Sequence, residues 1–195
     1  APDKRRSRRR LGKYQLDDSH QDKIQLMIKI IRRLLIGAVT LVFLIALGAW
    51  LTLRASLPEL NGEISVSGLT DTASIERDAT GIPVITARTR ADLAFATGFA
   101  HGQDRFFQMD LIRRQAAGEL SEIVGAATLD VDKRVRFHRF RAKAEVVVAA
   151  ASDTEKEILQ RYADGVNAGR DSLGARPFEY FLLKTEPEPW RPEDS

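Results

Sequence analysis

Hydrophobic residues recur at different spacings along this chain, and each spacing predicts a different element. From Leu34 to Leu53 the chain runs for twenty residues without a charge, LLIGAVTLVFLIALGAWLTL. At about 1.5 Å per residue that run spans roughly the 30 Å hydrocarbon core of a bilayer, so it predicts a transmembrane helix. Further on, Ile64 and Val66 alternate with polar residues up to Gly68, which is the period of a short half-buried strand. Two more short strands, Ala73 to Arg77 and Pro83 to Ala87, flank Asp78-Ala79-Thr80-Gly81. Because Gly81 is free to take a positive φ, they predict a hairpin.

From Arg90 the period becomes helical. Phe95 and Phe99 stand four apart, and Phe106, Met109 and Ile112 follow at steps of three, so these last three are expected to pack inward. Gly98 and Gly102 predict close helix packing or a break before Gln103-Asp104, and Gly118 ends the run. Another helix is expected over about Asp130 to Ala150, with Phe137, Phe140, Ala144 and Val147 on one side and Asp130/Arg134 and Asp132/Arg136 as surface pairs. Ser152 and Glu155 form a capping-box pattern that opens a further helix, carrying Ile158, Tyr162 and Val166 on one face and closing at Gly174. Pro187, Pro189 and Pro192 keep the final segment, TEPEPWRPED, from being regular helix. The class is therefore α+β: mainly helical, with a short N-terminal β-hairpin, preceded by one transmembrane helix.

Charge sets the direction of the membrane segment. Residues 1–33 carry eleven Lys or Arg against four Asp, whereas the rest of the chain carries nineteen basic and twenty-three acidic groups. The basic excess thus belongs to a tail. Lys29, Arg32 and Arg33 precede the apolar run and only Arg54 follows it, a bias that keeps the N-terminus cytoplasmic and sends the remainder outward to the periplasm or the cell exterior. Trp50 suits the outer interfacial belt. The run is longer than the core of a cleavable signal peptide and no small-x-small site follows before Arg54, which favours an uncleaved anchor. The cluster KRRSRRR at Lys4 to Arg10 could in isolation bind nucleic acid. Its membrane-spanning neighbour argues against that partner. The expected organisation is a basic cytoplasmic tail (1–33), an anchor (34–53), a linker (54–61) and an outer domain (62–195). The chain has no cysteine, which excludes disulfides, thiol catalysis and thiolate metal sites within it.

Candidate chemistry is sparse. His101 and Asp104 are one helical turn apart, but no G-x-S-x-G elbow accompanies them. His101, Asp104 and His138 lack any H-x-x-x-H or H-E-x-x-H spacing for a metal, and no phosphate-binding glycine loop occurs. The charge density of His101 to Gly125 is harder to dismiss, since Asp104, Arg105, Asp110, Arg113, Arg114, Glu119 and Glu122 are threaded among apolar residues. Neighbouring Asp104-Arg105 and Arg113-Arg114 point in different directions, so one of each pair must face protein, where a charge has to be paired. Asp104, Arg105, Arg113, Arg114 and Glu122 are expected in ion pairs with a partner segment that need not belong to this chain.

Four stretches carry a resemblance: RDATGIPVITA, GFAHGQDRFFQMDLIRRQAAGELSEIVG, RYADGVNAG and EPEPWRPEDS. In order and spacing they resemble the amino-terminal, α-subunit part of the penicillin acylase (penicillin amidase) family, over roughly Gly62 to Ser195. Val84 departs from the pattern, since many relatives have His there.

The resemblance implies an N-terminal nucleophile hydrolase, an αββα sandwich built from one precursor that cuts itself into α and β chains. It implies a Ser at the start of the β chain, following Gly and preceding Asn, with penicillins, cephalosporins or acyl-homoserine lactones as substrates. No Gly-Ser-Asn occurs in these 195 residues. Catalytic, cofactor-binding and metal residues are accordingly assigned to none of them; the family's acyl pocket and structural calcium would involve residues beyond Ser195. The implied partners are a downstream β segment, a small acyl amide and a membrane reached through Leu34 to Leu53. The alternative is a non-catalytic single-pass membrane protein with a helical outer interaction domain.

Overall fold

The computed structural model describes residues 4–195, with side chains from His20 onward. It divides into two compact units, Ala1–Leu51 and Thr52–Ser195. In the first, helix α1 (Lys4–Ala55) begins and continues without interruption. Its stretch His20–Ala55 is long and apolar enough to cross a membrane, with Leu34, Val42 and Ile45 all exposed. The expected basic cluster at Lys4 to Arg10 lies outside the described side chains.

The second unit opens with irregular chain through Ile64 and Val66, where a strand was expected. Neither residue finds a partner strand there, and Ile64 remains exposed. Two residues with the right alternation do not make a strand without a neighbour to take the backbone hydrogen bonds. The hairpin forms as expected: β1 (Ser74–Arg77) pairs antiparallel with β2 (Pro83–Thr86), placing Ile75 opposite Ile85 and Glu76 opposite Val84. Its turn is closed by Asp78, whose Oδ1 accepts from the Thr80 and Ile82 amides, while Gly81 takes φ 83°.

Helix α2 (Arg90–Ala117) starts at Thr89, whose hydroxyl accepts from the Asp92 amide, and ends at Gly118 in the left-handed region. It runs alongside and in the same direction as α6 (Asp153–Asp171), which opens on the expected Ser152/Glu155 capping box. The pairing is close because two glycine pairs interlock. A Cβ on Gly98 or Gly102 would strike the carbonyl oxygens of Tyr162 or Val166, and one on Gly165 or Gly169 would strike those of Phe95 or Phe99. The glycines of α2 therefore mark packing. The break also exists, at Arg105, where φ −149° and ψ 26° leave the helical region. Around this pair lies a core of Phe106, Ala163, Val166, Tyr180 and Trp190, with Phe95 and Phe99 buried nearby.

Beyond Gly118 come the short α3 (Ser121–Val124), then α4 (Leu129–Arg136) and α5 (Phe140–Ala150), in place of the single helix expected over Asp130 to Ala150. Arg139 at φ 54° separates the two, and this turn leaves Phe137 86% exposed and Phe140 and Val147 exposed as well. The expected apolar stack is thus not buried. Nor are the expected surface pairs present: Asp132 is buried and accepts from the Leu120 and Ser121 amides, Arg136 donates to the Gly118 carbonyl, and Asp130 lies 3.7 Å from Lys133. Last come α7 (Phe178–Leu183) and a non-helical strap that ends in one tight turn over Pro192–Asp194.

Candidate functional site

After the kink at Arg105, the residues of α2 that turn inward are Phe106, Asp110, Arg113 and Arg114, a stripe at i, i+4, i+7 and i+8. Three of the four are charged. Asp110 sits at the centre with no exposed surface: its Oδ1 accepts from Arg113 Nε at 2.7 Å and Arg114 Nε at 3.0 Å, and its Oδ2 accepts from the Tyr180 hydroxyl at 2.6 Å. Two guanidiniums around one carboxylate leave positive charge to be compensated.

The strap supplies that compensation. Arg113 donates to the Pro189 and Glu188 carbonyls at 2.7 and 2.9 Å and to Asp194 at 2.8 Å, with its guanidinium 5.1 Å from the Trp190 ring. Arg114 donates to Glu122 at 2.6 Å and approaches Glu188 at 3.3 Å. Arg141 of α5 extends the network, meeting Asp194 at 3.1 Å and Glu119 at 3.0 Å. Trp190 is fixed by Asn167, which accepts from its amide at 2.8 Å and donates to its carbonyl at 2.9 Å.

The electrostatics follow from these contacts. Burial disfavours the Arg114 cation, yet Asp110, Glu188 and Glu122 outweigh it and raise its pKa above the ordinary value. Tyr180 is also pushed up, by burial and by donating its proton to the Asp110 carboxylate, so it stays a neutral donor. Arg114 therefore stays charged and Tyr180 neutral at neutral pH. The cluster's hydrogen bonds and ion pairs hold the strap against α2.

The expected ion pairs are met in a different way from that anticipated. Arg113 and Arg114 find partners within this chain because the proline-rich strap folds back onto α2, and Glu122 of α3 pairs with Arg114. Asp104 pairs at 2.7 Å with Arg77 of the hairpin. Arg105 has no ion pair among the described residues. Met109 is half-buried, but Ile112, expected inward, is 67% exposed because Arg113 and Arg114 occupy the buried arc. Asp110, Tyr180, Asn167, Arg141 and Asp194 were not singled out from sequence as partners. The spacing Asp110-x-x-Arg113-Arg114 was the available signal, since i+3 and i+4 positions meet on a helix.

His101 and Asp104 do not come together. His101 Nδ1 is 2.8 Å from the Tyr162 hydroxyl, and its pKa is lowered by burial and by Arg105, with Asp104 opposing. His138 lies exposed, stacked on Phe140 with ring centroids 5.2 Å apart. No group of three or more metal-ligating side chains assembles among the described residues.

Comparison with known proteins places this arrangement. The chain belongs to the penicillin amidase family, whose profile matches residues 72–195. It is 42% identical over 140 residues to penicillin acylase 2 proenzyme of a Pseudomonas species (strain SE83), covering 72% of this chain and 18% of that protein. It is 38% identical over 162 residues to acyl-homoserine lactone acylase QuiP of Pseudomonas aeruginosa, covering 80% and 19%. The chain thus spans about a fifth of the length of these curated relatives. A thermostable penicillin G acylase from Alcaligenes faecalis shares the fold with a TM-score of 0.57 and 32% identity, over 63% of this chain and 67% of that one.

Proposed function

We propose that this chain is the amino-terminal part of a membrane-anchored acylase that hydrolyses an acyl amide bond, with a nucleophilic Ser supplied downstream of Ser195. The observation that carries the reading is the 42% identity to a penicillin acylase proenzyme over 140 residues. On this reading the charged cluster builds scaffold and the chemistry falls to other residues. Substrates are acyl amides of the penicillin, cephalosporin or acyl-homoserine-lactone type. The complete enzyme is an αββα sandwich, formed when a precursor cuts itself into an α segment containing this chain and a β segment that remains bound to it. A structural calcium, if the family's is retained, takes its ligands outside this chain.

The chemistry is consistent with a nucleophile at a chain terminus. An α-amino group titrates near about 7.7 to 8.0, so at neutral pH part of it is unprotonated and can take the proton of the Ser hydroxyl on the same residue. The Ser oxygen adds to the amide carbonyl, the proton passes to the departing nitrogen, and an acyl-enzyme remains for water to hydrolyse. Donors aimed at the developing oxyanion stabilise both steps. The apolar run Leu34 to Leu53 holds the enzyme outside the cytoplasm.

The test begins with the downstream reading frame, which should encode a Gly-Ser-Asn. Replacing that Ser by Ala in the full-length protein should leave an uncut precursor without amidase activity. A Ser→Ala variant that still matures and hydrolyses its substrate would refute the mechanism.

A further inference from the structure

Helix α7 buries only Tyr180. Phe178, Phe181, Leu182 and Leu183 are all exposed, Leu182 to 75%. Single exposed apolar residues are ordinary, but four in one six-residue helix form a patch that calls for a covering partner.

The path of the chain indicates which partner. Ala175 donates its amide to the carbonyl of Ala55 at 3.0 Å, and a Cβ on Gly174 would lie 3.2 Å from the same oxygen. The loop before α7 is thus pressed against the last turn of α1. Ala55 is two residues beyond Leu53, where the apolar run stops, which is about 3 Å along a helix. From Ala175 to Phe178 three residues can reach about 10 Å at full extension, and the turn at Pro177 shortens that reach. The headgroup layer is about 5–8 Å thick on each side of the hydrocarbon, and interfacial helices sink their apolar side about 5–10 Å. Helix α7 therefore starts within reach of the depth at which an exposed apolar patch is covered by lipid.

The surroundings suit that occupant. Leu57, itself exposed, lines one groove with Phe178, making the patch continuous with the chain leaving α1. Arg54 in the last turn of α1 and Lys184 directly after α7 are both exposed, as donors for phosphate oxygens. The Arg176 guanidinium lies 4.3 Å from the Phe181 ring and is neutralised by Glu186, while Glu179 lines the groove. We infer that α7 is a second membrane contact, its Phe178, Phe181, Leu182 and Leu183 seated in the outer-leaflet interface beside the exit of α1 and its flanking cations at the phospholipid phosphates. The inference rests on the reading of Leu34 to Leu53 as an anchor.

The full-length protein would be reconstituted into vesicles of phosphatidylethanolamine and phosphatidylglycerol containing a phospholipid with a photoactivatable group near its headgroup. Adducts would then be mapped by peptide mass spectrometry. Adducts are expected on both the 34–53 peptide and the 178–183 peptide, with Leu182→Asp losing the second and keeping the first. Labelling of 34–53 alone in the unmutated protein overturns the α7 contact and leaves the anchor intact. Labelling of neither peptide overturns the anchor, and the inference with it. An undiminished 178–183 adduct in Leu182→Asp also refutes insertion of this helix.

Discussion

Helices α2 and α5 both present aromatic and aliphatic residues at helical spacing, but their surroundings differ. On α2, Phe95, Phe99 and Phe106 are buried because α6 lies close, and it lies close because Gly98, Gly102, Gly165 and Gly169 remove every side chain from the crossing. On the α4–α5 segment, Phe137, Phe140, Val146 and Val147 follow an equally regular pattern and are all exposed. Periodicity shows which residues could form a face. Burial depends on whether another element can approach that face, and of these two segments, among the described residues, only α2 has a helix packed along its apolar face.

The comparison can be broken most severely at the buried charges. Replacing Asp110 by Ala leaves Arg113 and Arg114 buried without their shared carboxylate, and breaking a buried pair in this way costs about 3–5 kcal/mol. Thermal unfolding and maturation of the full-length protein should both suffer. Arg114→Ala should act in the same direction, impairing maturation more than substrate affinity; a normally matured enzyme with only KM altered would contradict the scaffold role.

Next in size is the helix crossing. Gly165→Ala places a methyl group against the Phe95 carbonyl and should cost about 1–3 kcal/mol by overpacking. A lower denaturation midpoint with an unchanged slope would be the signature, and an unchanged midpoint would show that the helices can part freely.

A smaller effect is expected at His101. Its folded pKa lies below that of a free imidazole, so the unfolded chain binds a proton more readily than the native one. Its contribution is therefore fully present above about pH 6.5 and declines as the pH falls from there toward the folded value. His101→Gln, which retains an acceptor for the Tyr162 hydroxyl, should flatten the stability profile in that window; an identical slope in both proteins would assign the acid sensitivity elsewhere.

The smallest effect belongs to the other side of the comparison. Phe137→Ser, at an exposed position, should shift stability by no more than about 0.5 kcal/mol. A loss several times larger would reveal that another segment of the full-length protein covers α5.

Several elements were legible from residues alone because their causes are local. The hairpin turn needs a glycine at position 81, the cap of α6 needs Ser152 and Glu155 three apart, and the end of α2 needs Gly118. The apolar run from Leu34 declares its length and lack of charge without reference to any neighbour. The four stretches that resemble the penicillin acylase family likewise sit in the sequence, and the family profile bears that resemblance out over 72–195.

Tertiary structure decided what local pattern leaves open. The expected strand at Ile64 and Val66 failed for want of a neighbour, and the helix over Asp130 to Ala150 was interrupted at Arg139, where a left-handed turn carries no local glycine signal. Ile112 was expected inward because apolar residues usually are, yet the buried stripe of α2 beyond Arg105 is built from Asp110, Arg113 and Arg114. Charged residues can take the inside of a helix only when partners are already in place, and here those partners lie some seventy to eighty residues away, at Tyr180, Pro189 and Asp194. The sequence states which groups require pairing; the folded chain alone brings the strap to them.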